Sequence, residues 1–151
     1  MENMEKDLLE TIADIRGFMP GSAFNLRKNG EGVERHSTEH VKISAKTDKP
    51  GIDIRIDANT VGESIHIPVI LTESGIKDVV YNDFYIGENC DVEIIAGCGI
   101  HNDGCDTSQH DGIHTFHIGK NAKIVYSEKH VGEGNGSGER ILNPTTVIHM
   151  E

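Results

Sequence analysis

Residues 97–117 read Gly-Cys-Gly-Ile-His-Asn-Asp-Gly-Cys-Asp-Thr-Ser-Gln-His-Asp-Gly-Ile-His-Thr-Phe-His and hold two of the three cysteines and four of the nine histidines. Thiolate and imidazole together suit Zn²⁺, Fe²⁺ or an iron–sulfur centre, and suit Mg²⁺ or Ca²⁺ poorly. The candidate ligands are Cys98, His101, Cys105, His110, His114 and His117. Asp103, Asp106 and Asp111 could orient the imidazoles from behind. Gly97, Gly99, Gly104 and Gly112 would let a loop fold tightly around an ion. The density is more specific than the spacing, because no Cys-x-x-Cys pair is present. In a strand over 113–118, His114 shares a face with Phe116, opposite Ile113, Thr115 and His117. A single site would then not use both His114 and His117. The competing reading is that His and Asp close a loop by hydrogen bonds while Cys98 packs as a small hydrophobe. His36, His40, His66, His130 and His149 are scattered in strand-like contexts and read as ordinary.

Other chemistries fit less well. Cys98 or Cys105 beside a histidine could form a nucleophile–base pair, but nothing in the local sequence would lower a thiol pKa. No Gly-x-Ser-x-Gly elbow exists. Residues 132–138, Gly-Glu-Gly-Asn-Gly-Ser-Gly, lack a following Lys-Ser/Thr and read as a flexible loop rather than a phosphate cradle.

The elements that must position these residues are mostly strands. Residues 3–18 form the exception. There Leu8, Leu9, Ile12 and Ile15 recur at helical spacing, Asn3 can cap, and Gly17 with Pro20-Gly21 can stop the helix. This N-terminal unit, 1–20, is followed by a stretch over 21–40 that reads as an irregular linker punctuated by Gly21, Gly30 and Gly32. From residue 41 the period is two. Val41, Ile43 and Ala45, a turn at Asp48-Lys49-Pro50-Gly51, then Ile52, Ile54 and Ile56 predict a hairpin. Residues 65–71 predict a strand that Pro68 pushes to a sheet edge.

Ile86-Gly87-Glu88-Asn89-Cys90-Asp91-Val92 is echoed by Ile118-Gly119-Lys120-Asn121-Ala122-Lys123-Ile124. In the form Ile-Gly-x-Asn-small-x-Val/Ile, Ile points inward, Gly turns tightly and Asn tolerates left-handed φ. Such a corner, repeated before strands, predicts stacked coils over 41–151.

A chain of 151 residues with 14 Lys and Arg against 25 Asp and Glu is one acidic domain. That charge disfavours nucleic acid and anionic membranes as partners. No apolar stretch reaches the roughly 20 residues of a membrane helix. The start, Met1-Glu2-Asn3-Met4-Glu5-Lys6-Asp7, has no signal-peptide character, so a cytoplasmic location is expected.

Several ordered segments resemble the SufB/SufD family. They are 80–88 (Val-Tyr-Asn-Asp-Phe-Tyr-Ile-Gly-Glu), 96–102 (Ala-Gly-Cys-Gly-Ile-His-Asn), 110–114 (His-Asp-Gly-Ile-His), 119–123 (Gly-Lys-Asn-Ala-Lys) and 128–134 (Glu-Lys-His-Val-Gly-Glu-Gly). Asp48-Lys49-Pro50-Gly51 and His66-Ile67-Pro68-Val69 are similar to its upstream portion. The likeness covers 41–151 and is closest to the short SufB-like members, of which this chain resembles an N-terminal portion. It implies a mostly β fold: a right-handed parallel β-helix behind a short N-terminal helix. It further implies a non-enzymatic scaffold of iron–sulfur cluster assembly in the SUF system, partnered by a SufC-type ABC ATPase. Association as a homodimer or a SufB/SufD-type oligomer follows from the same likeness. The helices that dock SufC and the cluster-building residues of the family lie downstream of the matched portion. The alternatives are a left-handed β-helix acyltransferase, which should show strict hexapeptide periods, and a small metal-binding module.

Overall fold

The computed structural model describes residues 3–13 and 22–151. After helix α1 (Asn3–Ala13) come ten strands: β1 (Ala23–Lys28), β2 (Glu31–His36), β3 (Val41–Ala45), β4 (Gly51–Ile56), β5 (Val61–Leu71), β6 (Lys77–Ile86), β7 (Asp91–His101), β8 (Ser108–Ile118), β9 (Lys123–Glu133) and β10 (Arg140–Met150). They build two five-stranded sheets, ordered β2-β1-β5-β7-β9 and β10-β8-β6-β4-β3. Successive strands alternate between the sheets from β5 onward, and each strand lies parallel to the one a coil earlier. The result is a β-solenoid of about three turns.

The period-two pattern explains the wall of each coil. Ile52, Ile54, Ile65, Phe84, Ile86, Val92, Ile94 and Phe116 point between the sheets and are buried. Phe84 and Phe116, one coil apart, stack with centroids 4.5 Å apart. The two predicted corners are present, with Asn89 and Asn121 at φ of 58° and 59°, and a third, not marked in the sequence reading, stands one coil earlier at Asn59 (φ 66°). The Asn59 and Asn89 amides donate to Glu88 O and Lys120 O of the next coil, at 2.8 and 3.0 Å. A Cβ on Gly87 would stand 2.6 Å from Ala58 N, so the corner needs glycine.

The hairpin over 41–56 forms as expected, with Ile43 opposite Ile54. Three expectations are corrected. The stretch 21–40 is no linker among its described residues: β1 and β2 form a hairpin turned by Asn29-Gly30, both at positive φ. Every residue of β2 is exposed, so no alternation marks it in the sequence. Residues 65–71 belong to β5, which sits between β1 and β7 rather than at an edge. Pro68 is tolerated because pairing with β1 stops after Phe24↔His66 and resumes at Arg27↔Val69. The glycine-rich stretch after β9 is a stacked corner rather than a free loop. Gly136 N donates to Asn102 O (3.2 Å) and Gly138 N to Gly104 O (3.0 Å), and Arg140 Nη2 binds three carbonyls there.

Helix α1 lies on the outer face of the first sheet. Leu8, Leu9 and Ile12 are buried against Leu26 and Ile70, each contributing about 1.5–3 kcal/mol. Glu5 pairs with Lys28. The helix continues in the sequence reading through residues 14–18, and its stop at Pro20-Gly21 follows; both lie outside the described residues. Among the described residues no helix is long and apolar enough to cross a membrane.

Candidate functional site

Strand alternation decides which of the six candidate ligands can meet. On β7, residues 92, 94, 96, 98 and 100 point into the column, which buries Cys98. On β8, His110, Gly112, His114 and Phe116 point inward. His114 and His117 therefore face apart, as the strand reading expects. His117 faces outward, where its Nε2 meets Asp83 Oδ1 at 3.0 Å. His101, at the end of β7, is held between Glu133 (3.0 Å) and Asp103 (2.8 Å). Cys105 is exposed in the connection between β7 and β8.

A single six-ligand site is thus not assembled. Among the described residues no group of three or more His, Cys, Asp or Glu stands in metal-holding geometry. The segment is not a loop wrapped around an ion either. Gly97 and Gly99 make room for the helix: a Cβ on them would lie 2.5 Å from Ile12 O and 2.6 Å from Leu8 Cδ1. Gly112 makes room inside, where its Cβ would stand 3.2 Å from Nε2 of both His110 and His114.

What the fold does bring together is a set on one side of the column, in which Cys98, His110 and His114 are buried, Glu128 is half-buried and His130 is exposed. Cys98, His110, His114, Glu128 and His130 line one cavity of about 10 Å³, roughly the space of one water. Glu128 and His130 are absent from the sequence-derived set. The signal for them is the repeat itself: pairing β7 with β9 sets Ala96 beside Glu128 and Cys98 beside His130. His110 is buried and its Nδ1 lies 3.3 Å from Asp78 Oδ2. Asp78 in turn accepts two hydrogen bonds from Arg27, at 2.9 and 2.8 Å. Cys98, His110, His114 and Asp78 are therefore buried polar groups beside an aliphatic and aromatic core.

Burial sets the protonation states of these groups. It pushes the Cys98 thiol far above the usual range, with the Asp78 charge adding to the effect. Burial thus favours the neutral thiol over the thiolate. His114 is only 8% exposed, its pKa is lowered to about 4 by burial, and its Nδ1 has no partner. Burial alone would raise the Asp78 pKa, but Arg27 and His110 more than offset it and hold the carboxyl well below its usual range. Glu128 behaves likewise: burial opposes ionisation, and hydrogen bonds from Tyr126 and His130 win.

On the outside of the second sheet the register Arg55↔Tyr85↔His117 continues to His149. The Arg55 guanidinium sits 4.3 Å from the Tyr85 ring centre, Tyr85 stacks on His117 at 4.7 Å, and His117 on His149 at 5.4 Å. These contacts tie coils together, and they account for His117 and His149 without a ligand.

No family model, curated protein or solved structure matches this chain.

Proposed function

We propose that the chain is a SufB/SufD-like scaffold component of iron–sulfur cluster assembly, acting in the SUF system with a SufC-type ABC ATPase. The observation that supports this reading is the parallel β column that carries the ordered segments resembling the family. Cys98, His110 and His114 lie in those segments, and they line one small cavity with the half-buried Glu128 and the exposed His130. Thiol, imidazole and carboxylate are the donors that iron and its clusters take. On this reading the column is a non-enzymatic platform, iron and sulfide are its cargo, and nucleotide hydrolysis belongs to the partner.

A pull-down of the full open reading frame tests this. Recovery of a SufC-type ATPase in stoichiometric amount is the expected result. A clean pull-down without it, together with tight stoichiometric metal on the chain, overturns the scaffold reading in favour of a small metal-binding module, which the same cavity would serve.

A further inference from the structure

At the start of the column the two hairpins flank a pocket of about 360 Å³. Arg27, Arg35, Lys46 and Lys49 line it, and among the described residues no carboxylate does. In a chain with 14 Lys and Arg against 25 Asp and Glu, four cations around one pocket run against the overall sign. Asn25 and Asn82 add amides, and Ile67 and Val80 add an apolar floor.

The four cations are not equivalent. Arg27 is engaged by Asp78 at 2.8 Å. Lys46 is clasped by Asp53 and Asp83 at 2.5 and 2.6 Å. The Arg27 charge is neutralised by the fold, and the Lys46 charge is outweighed by its two carboxylates, neither of which lines the pocket. Arg35 and Lys49 have no carboxylate partner among the described residues. Arg35 Nε donates to Asn25 Oδ1 at 2.9 Å, which leaves the rest of its fork available. Lys49 Nζ lies 4.7 Å from the Tyr81 ring centre, which fixes the ammonium at the rim without cancelling it.

We infer that this mouth binds a small organic anion with a phosphoryl head, gripped by Arg35 and Lys49 with its apolar body on the floor. Two uncancelled cations match a phosphate monoester, which carries about −1.5 to −2 charge at pH 7, better than a single carboxylate. A guanidinium fork also presents paired donors to neighbouring oxyanion oxygens. The volume lies within the few hundred cubic ångströms usual for small-ligand pockets. This site is separate from the Cys98 cavity and does not rest on the scaffold reading.

Calorimetric titration with phenyl phosphate, inorganic phosphate and benzoate tests each part. Phenyl phosphate should bind most tightly, inorganic phosphate more weakly for want of an apolar body, and benzoate most weakly for want of the second charge. The double variant Arg35→Gln/Lys49→Gln should lose at least about tenfold in phenyl phosphate affinity. Arg55→Gln, on the outer face over Tyr85, should leave it unchanged. Should circular dichroism show the double variant unfolded, Lys49→Gln alone must weaken binding at least about threefold. No phenyl phosphate binding up to about 10 mM, equal binding by the folded variant, or benzoate binding as tightly as phenyl phosphate overturns the inference.

Discussion

His114 shows what one position inside the column demands. Its ring is packed beside Phe84 and Tyr126, with centroids at 6.1 and 6.0 Å, and its Nδ1 is left without a partner. Burial holds the folded-state pKa at about 4, below the ordinary 6.5. The unfolded chain therefore binds the proton more readily. The stability this group contributes is complete above pH about 6.5 and is lost as pH falls toward 4, at a cost approaching roughly 3 kcal/mol. Denaturant melts of His114→Phe should accordingly lose less stability between those pH values than melts of the parent chain; equal losses would refute the assignment. At this scale the sequence was partly legible. Alternation alone places His114 and Phe116 on one face, because a strand has period two. It does not reveal Glu128 or His130, because their neighbours belong to a coil 32 residues earlier (Ala96 pairs with Glu128).

Among the elements, those with an apolar period could be read directly and those without could not. The isoleucines of β4 announce a strand, whereas β2 is exposed throughout and carries no such mark. Pro68 misleads for a related reason: a missing amide argues for an edge, yet a local gap in the β1–β5 ladder removes the need for that amide. Helix α1 is the element most open to experiment. Its seat depends on the bare backbone at Gly97, where a Cβ would meet the Ile12 carbonyl at 2.5 Å. A backbone atom cannot yield as a side-chain tip can. Gly97→Ala should therefore lift the helix, at about 1–3 kcal/mol. Hydrogen exchange should speed up in Asn3–Ala13 while β6 and β8 keep their protection. Unchanged exchange in the helix would show that its seat is not set by this glycine.

At the scale of the whole molecule, repetition is the organising fact. Asparagine corners, aromatic stacks and paired loops recur at the same place in successive coils, and each layer buries the face of its neighbour. Two echoed corners were enough to suggest a column. They could not show that candidate ligands close in sequence would be divided between its inside and its outside. That division yields the most direct measurement. After anaerobic incubation with ferrous iron, iron per chain should fall by at least about half in Cys98→Ser/His114→Ala. It should stay at the parent level in His101→Ala/Cys105→Ser, with both variants folded by circular dichroism. Equal iron in all three proteins, or loss only in the outer pair, would contradict an iron-loading role for this side of the column.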